Sequence, residues 1–142
     1  MHYVSVSEEF SYGHRLRDYN GKCARLHGHN GVVQITVVNT EGELDLCGIA
    51  YDFSLLKQGL RDLLKTLDHR MLLHQEDPIR ERFDKCFEDD FGVVLLGFNP
   101  TAEGLARYIY EQLNGAYFAG TFAKVISVSF SESATTSAIY EP

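Results

Sequence analysis

The chain has few cysteines, no long apolar run and no excess of positive charge, and each of these absences argues against a class of protein. Its three cysteines are odd in number and irregularly spaced, which argues against a disulfide framework and favours a reducing, cytoplasmic location. No apolar stretch approaches the length of a membrane span, and residues 1–5 do not begin a secretory signal. The formal net charge of −7 gives no overall attraction to nucleic acid or to an anionic membrane.

What is present is the composition of an ordinary globular protein. Apolar residues make up 44% of the chain and charged residues 23%. A chain of 142 residues is long enough to bury one core, and no repeat or linker divides it. We therefore predict a single domain over residues 1–142.

Apolar periodicity predicts the element order β-β-α-α-β-β. Strands are expected over residues 3–12, 29–39, 123–132 and 137–140, and helices over residues 54–67 and 100–114. Between the helices the pattern is weaker, with a possible short helix over residues 77–87 and an apolar run over residues 93–96. The predicted fold class is α+β, a four-stranded antiparallel sheet with both helices on one face.

Three histidines are placed so that they can share one metal ion. His27 and His29 are two residues apart, so both side chains face the same way in an extended chain, and His14 ends the preceding strand. Antiparallel pairing of the two strands would bring the three rings together. Three neutral nitrogens at roughly 2.0–2.1 Å leave the fourth position of a zinc ion open for catalysis. Three unrelated surface or core histidines are the alternative, which would not explain their convergence.

Cys23 is interpreted as an acid or base beside the metal. As a fourth ligand it would close the zinc tetrahedron and leave no position for chemistry. Lys22 and Arg25 flank it, and positive neighbours favour the thiolate form. The alternative is a small buried apolar residue, which most free cysteines are. Cys47 lacks such neighbours and Cys86 has only Lys85 beside it, and both are interpreted as structural.

Asp68 and His69 form a second candidate pair at the expected end of the first helix. A histidine there could simply cap the helix, since a positive charge is favourable at the C-terminal end of the helix dipole. The functional alternative is that Asp68 orients His69, which then exchanges a proton with Cys23 or with a substrate. The dipeptide alone does not decide between the two.

Glu132 is expected to face the core, because it continues the alternation of Ile126, Val128 and Phe130. A buried carboxylate needs a partner, since leaving it unpaired costs several kcal/mol. The adjacent N–H donors of a guanidine-like heterocycle edge would match its two oxygens, and a lysine or arginine is the ordinary competitor. Glu103 is interpreted as a carboxylate that stabilises a helix N-terminus.

A local basic patch could still attract an anionic small molecule. Its candidate members flank the histidines and the cysteine in sequence: Arg15, Arg17, Lys22 and Arg25. Such a patch would be needed because the chain as a whole is acidic.

The motifs together resemble the 6-pyruvoyl-tetrahydropterin synthase family, including its bacterial branch, the 6-carboxytetrahydropterin synthases of queuosine biosynthesis. The matching residues are 10–14, 23 with 27–29, 51–53, 67–69, 99–103, 131–132 and 140. The short spacing from Cys23 to His27 and the pair Asp52-Phe53 favour the bacterial branch. One departure is Gly31, which stands where the family usually has an aromatic residue.

The resemblance implies the tunnelling fold (T-fold), in which trimers join their sheets into a barrel, usually stacked as homohexamers with active sites between subunits. It also implies that zinc is bound by His14, His27 and His29. By the same resemblance Cys23 is the general base, and Asp68 and His69 form a proton relay. Glu132 would anchor the pterin, and further substrate contacts would come from Lys22, Arg25 and Thr101. The implied enzyme is a lyase that acts on 7,8-dihydroneopterin triphosphate, releases triphosphate and acetaldehyde, and leaves 6-carboxytetrahydropterin. The alternatives are the 6-pyruvoyl product, formed without side-chain cleavage, and a non-catalytic homologue that binds zinc and pterin.

Overall fold

The computed structural model describes residues 1–85 and 92–142, and in it a six-stranded sheet carries two helices on one face. The elements are β1 (Tyr3–His14), β2 (His27–Asn39), α1 (Phe53–Leu64), β3 (Arg70–His74), β4 (Val93–Leu96), α2 (Ala102–Gln112), β5 (Ala123–Ser133) and β6 (Thr136–Tyr140). Short 3-10 turns cover Lys22–Ala24 and Pro78–Phe83, and a π-helical turn covers Leu113–Tyr117. The α+β class is confirmed.

The side chains of the first two strands alternate between a buried face and a solvent-exposed face, as the sequence predicts. Apolar side chains of β1 and β2 are buried at every second position, whereas the serines and the glutamine between them lie on the other face. The strands pair antiparallel in a single register, with Tyr12 opposite His29 and His14 opposite His27. The predicted meeting of the two histidine-bearing segments is therefore confirmed.

The sheet is larger than predicted, because two short strands lie between the helices in sequence. Its order is β4-β3-β1-β2-β5-β6, with β3 parallel to β1 and β4 parallel to β3. The four predicted strands form the antiparallel part of this mixed sheet. In β3 the neighbours Leu72 and Leu73 are both buried, so the strand shows no alternation from which to predict it. Of the helix expected over residues 77–87, Pro78–Phe83 forms a 3-10 turn, residues 84 and 85 are α-helical, and residues 86 and 87 lie outside the described part of the chain.

Each helix begins at a side-chain cap. The carboxylate of Asp52 accepts a hydrogen bond from the backbone N–H of Ser54 at 2.7 Å, and the hydroxyl of Thr101 accepts one from Gly104 at 3.1 Å. The leucine stripe of α1 is buried against the sheet. α1 ends at Leu64, three residues earlier than predicted. None of the helices that the structure describes is long and apolar enough to cross a membrane.

Two bulges in β5 change the predicted alternation. Val125 and Ser127 both pair with β2, and Ile126 is the extra residue between them. The buried positions are therefore Val125 and Val128, and the expected core position of Ile126 is wrong. A second bulge lies at Glu132, between the pairs that join Ser131 and Ser133 to β6. Glu132 keeps the predicted side of the sheet, where it faces the histidines.

Gly59 lets α1 pack closely on the turn that follows α2, which gives a test of the core. A Cβ at position 59 would lie 2.6 Å from the ring of Phe118, a buried residue. We expect Gly59→Ala to lower the free energy of unfolding by about 1–2 kcal/mol, because overpacking outweighs the gain of about 1 kcal/mol in helix propensity. Urea unfolding measures the change. Gly115→Ala is the control, because a Cβ there meets nothing within 4 Å. Equal stability of the two variants would contradict this packing.

Candidate metal centre and active site

Three imidazole rings converge at the end of β1 and the start of β2. One ring nitrogen from each of His14, His27 and His29 lies within 4.8 Å of the other two. The strand register produces this cluster directly, because His14 pairs with His27 and the ring of His29 lies on the same face. In the parts of the chain that the structure covers, no other group of three or more His, Cys, Asp or Glu side chains could hold a metal ion.

Two backbone carbonyls determine which nitrogen each ring presents. Nδ1 of His14 lies 2.7 Å from the carbonyl oxygen of Pro100, and Nδ1 of His27 lies 2.7 Å from that of Arg25. A carbonyl oxygen only accepts, so each Nδ1 carries the proton and each Nε2 presents a lone pair. These two Nε2 atoms are 3.0 Å apart. Two facing lone pairs repel, and a cation bound between them would remove the repulsion.

The third ring and the burial of the cluster also fit a cation. Nε2 of His29 is buried and has no hydrogen-bond partner among the described residues. Burial is the main cause that lowers the pKa of His14 to about 4, with smaller effects of His27 and His29 in the same direction and an opposing effect of Pro100. The ring of His14 is therefore neutral at neutral pH, as a metal ligand must be. The cluster fits a divalent ion held by nitrogen.

Glu132 is the carboxylate nearest to this cluster. Its Oε1 lies 3.9 Å from Nε2 of His14, and its Oε2 lies 4.0 Å from Nε2 of His29. The hydroxyl of Tyr12 donates to Oε1 at 3.4 Å. Burial, followed by the charge and the hydrogen bond of Glu132, raises the pKa of Tyr12 far above its usual range, so the phenol keeps its proton. Only about a quarter of the Glu132 side chain is exposed, at 26%.

A cavity of about 450 Å³ opens beside Glu132. Thr101 lines it together with Asn99, Arg17 and Glu103. The side chain of Asn99 accepts from the backbone N–H of Arg17 and donates to its carbonyl oxygen, both at 3.0 Å. These two hydrogen bonds join the loop after β1 to the loop that contains Pro100. The loops that line the cavity therefore also hold the carbonyl oxygen that contacts the His14 ring.

Asp68 and His69 form a pair in the segment between α1 and β3. Oδ2 of Asp68 lies 2.9 Å from Nδ1 of His69, and its Oδ1 accepts from the backbone N–H of Ser11 at 3.0 Å. Burial acts to raise the pKa of Asp68, but the hydrogen bonds from His69 and Ser11 outweigh it and hold the pKa below its usual value. His69 has a positive φ of 57° and lines a cavity of about 670 Å³ that extends to Ser11 and His29. Among the described residues, no hydrogen bond or ion pair joins Asp68 or His69 to the three imidazoles of the cluster.

Cys23 lies in the 3-10 turn between β1 and β2 and is partly buried. It is not a member of the three-histidine cluster found in the described ranges. Lys22 and Arg25 on either side are exposed, and neither forms an ion pair within residues 1–85 and 92–142.

The basic patch is smaller than the sequence predicts. Nε of Arg15 lies 3.0 Å from the buried carboxylate of Asp77. The guanidinium of Arg17 pairs with Asp18 at 3.0 Å and with Glu76 at 3.1 Å. Both charges are neutralised inside the chain, so the expected contribution of Arg15 and Arg17 to a patch is wrong.

Three groups that contact or hold the site residues were not predicted from the sequence. They are the hydroxyl of Tyr12, the carbonyl of Pro100 and the side chain of Asn99. Tyr12 could have been found, because it shares the alternation of Phe10 and His14 and so faces the same side. The other two depend on contacts between loops distant in sequence and leave no local pattern.

Comparison with known proteins gives one family. The model of the 6-pyruvoyl tetrahydropterin synthase family matches residues 3–142. A protein of Aquifex aeolicus named 6-carboxy-5,6,7,8-tetrahydropterin synthase is 30% identical over 161 residues, covering 97% of this chain and 96% of its own. One of the same name from Haemophilus influenzae is 34% identical, over 76% of this chain and 80% of its own.

Solved structures agree on the fold. The 6-pyruvoyl tetrahydropterin synthase of Caenorhabditis elegans superposes with a TM-score of 0.69 at 25% identity, covering 99% of this chain and 94% of its own. An uncharacterised protein of Wolinella succinogenes superposes with a TM-score of 0.83 at 23% identity, covering 99% and 97%, and it supports the fold alone. The T-fold expectation is thus confirmed, and the chain belongs to the 6-pyruvoyl tetrahydropterin synthase family.

Proposed function

We propose that this protein is a zinc-dependent 6-carboxytetrahydropterin synthase. The observation that carries the proposal is the position of one carboxylate, Glu132, within 4.0 Å of the nitrogens of His14 and His29. A metal site and a partner for a guanidine-like heterocycle thus lie side by side. The names of the relatives from Aquifex aeolicus and Haemophilus influenzae support the same reaction.

The proposed substrate is 7,8-dihydroneopterin triphosphate. The two oxygens of Glu132 accept hydrogen bonds from the adjacent N–H groups of the pterin edge. Thr101 lines the same cavity, and because its hydroxyl already accepts from Gly104, its own proton can be donated to the substrate. Lys22 and Arg25 are exposed on the loop before His27 and are the proposed contacts of the triphosphate.

His14, His27 and His29 would hold zinc through one nitrogen each. Zinc bound there would supply a Lewis acid that makes the side-chain hydroxyls and adjacent C–H bonds of the substrate more acidic. Cys23 acts as the base that accepts a proton. His69, oriented by Asp68 through Nδ1, exchanges a proton at Nε2. The proton transfers reduce the ring while the adjacent side-chain carbinol is oxidised to a carbonyl, and triphosphate leaves as its C–O bond breaks. Attack of one water on this carbonyl then breaks the C–C bond, which leaves the carboxylate on the ring and releases acetaldehyde, so no external redox cofactor is needed.

We propose that two copies of the chain assemble this site. The His69 ring is 80% exposed, and among the described residues no hydrogen bond or ion pair joins it to the histidine cluster. A neighbouring copy would therefore supply Asp68 and His69 to the cluster of its partner, in a trimer or a dimer of trimers. We propose a cytoplasmic homo-oligomer without nucleic acid or membrane partners.

A product-resolved assay tests the proposed reaction. The purified protein, incubated with 7,8-dihydroneopterin triphosphate, should release triphosphate and acetaldehyde in equal amounts, with zinc bound at one equivalent per chain. Triphosphate without acetaldehyde would indicate the 6-pyruvoyl product instead. A protein that binds zinc and releases neither would be the non-catalytic homologue.

Replacing the proposed base separates metal binding from turnover. We expect Cys23→Ala to keep the zinc content of the wild type and to lose turnover, because the thiol moves protons without binding the ion. Metal analysis and the triphosphate assay measure the two effects. Cys47→Ala is the matched control, since Cys47 is a free, exposed cysteine. Full activity of Cys23→Ala would refute the assignment, and loss of zinc would make Cys23 a ligand.

Replacing the proposed anchor tests pterin recognition. Glu132→Gln keeps the shape of the side chain but removes its charge and one acceptor. We expect pterin binding to weaken by about 2 kcal/mol, the scale of a lost hydrogen bond to a charged group. Equilibrium binding of neopterin measures the change, and Glu9→Gln, an exposed position of β1, is the control. Unchanged affinity of Glu132→Gln would rule out the anchor.

A further inference from the structure

Two neighbours compete for the carboxylate of Glu132. Its Oε1 accepts from the hydroxyl of Tyr12 at 3.4 Å and also lies 3.9 Å from the lone pair of His14 Nε2. Its Oε2 lies 4.0 Å from Nε2 of His29. The same side chain therefore lies between a hydrogen-bond donor and a cluster of nitrogens that fits a cation.

These distances are close to those between two ligands of one metal ion. Ligands at 2.0–2.1 Å in a tetrahedron are about 3.4 Å apart. The oxygens of Glu132 are only about 0.5 Å farther than this from the nitrogens of His14 and His29. A small movement of the carboxylate would make it a fourth ligand. The metal site would then be closed, as in structural zinc sites, and the anchor for the pterin would be lost.

Tyr12 is held where it can prevent that movement. Its ring stacks on Phe10 at a centroid distance of 5.1 Å and meets the edge of Phe130 at 5.8 Å. A Cβ on Gly31 would lie 3.1 Å from the Tyr12 ring, so the backbone of β2 also packs against it. Only 4% of Tyr12 is exposed, and its hydroxyl is the one side-chain donor to Glu132 among the described residues.

We propose that Tyr12 is a positioning residue that holds the carboxylate of Glu132 away from the metal ion and reserves it for the substrate. The inference rests on the metal site of the proposed function. Because the phenol holds Oε1 at 3.4 Å, the movement that would bring the carboxylate within bonding distance of an ion would stretch or break this hydrogen bond. The open position of the ion and the free oxygens of the anchor then depend on one hydroxyl group.

Tyr12→Phe tests the proposal, because it removes the hydroxyl and keeps the ring. Wild-type protein, Tyr12→Phe, Glu132→Gln and the double variant are stripped of metal and titrated with Co²⁺ against a chelator. We expect Tyr12→Phe to bind Co²⁺ about tenfold more tightly than the wild type, the lower end of the effects of groups next to metal ligands. Its visible absorption spectrum should also change as a carboxylate replaces water. Tyr3→Phe, at an exposed position of the same strand, is the control.

The direction of the change separates this role from a purely structural one. Loss of packing or of order around the rings would weaken Co²⁺ binding, whereas release of the carboxylate strengthens it. In the double variant the gain should disappear, because the amide introduced by Glu132→Gln is a poorer ligand than a carboxylate. Equal or weaker binding by Tyr12→Phe, or a gain that persists in the double variant, would overturn the proposal.

The proposed reaction can fail separately. A wild type that binds Co²⁺ through its histidines but turns over no pterin would refute the reaction and leave the role of Tyr12 to be decided by the titration. A wild type that binds no Co²⁺ would refute both.

Discussion

The single register of the β1–β2 pair is the constraint on which the rest of the site depends. It places His14 opposite His27 and Tyr12 opposite His29, with the buried side chains of both strands on one face. Because successive side chains point to opposite faces, a shift of one residue in the pairing register would move the apolar side chains of a strand to the solvent-exposed face. The burial that stabilises the sheet therefore also brings the three imidazoles together, and the carbonyl oxygens of Pro100 and Arg25 orient two of the rings.

Much of the fold and part of the site could be predicted from local patterns. Alternation in residues 3–14 and 27–39 determines both the strands and the face of the histidines, and the leucine stripe determines α1. The side of the strand on which Glu132 lies was correctly predicted although Ile126, one of the residues used to argue it, lies at a bulge. The second bulge lies at Glu132 itself and left the predicted face unchanged.

The features that could not be predicted depend on contacts between distant segments. β3 pairs parallel with β1, and its adjacent buried leucines show neither a helical nor an alternating pattern. The pairing of Arg15 with Asp77 depends on the fold of a segment with a weak pattern, so sequence proximity alone suggested a larger basic patch than the structure has. The position of His69 beside Ser11 follows from the chain path between α1 and β3, which periodicity does not describe.

Gly31 has a consequence for how this chain is compared with its relatives. If position 31 is considered alone, a glycine in place of the aromatic residue expected from the family resemblance removes side-chain volume. In the folded chain the rings of Phe130 and Tyr12 occupy this space, since a Cβ at Gly31 would be 3.0 Å from the ring of Phe130 and 3.1 Å from that of Tyr12. An aromatic side chain restored at position 31 alone would clash with both rings. Comparing single positions therefore misleads here, because the space is filled jointly by residues of neighbouring strands.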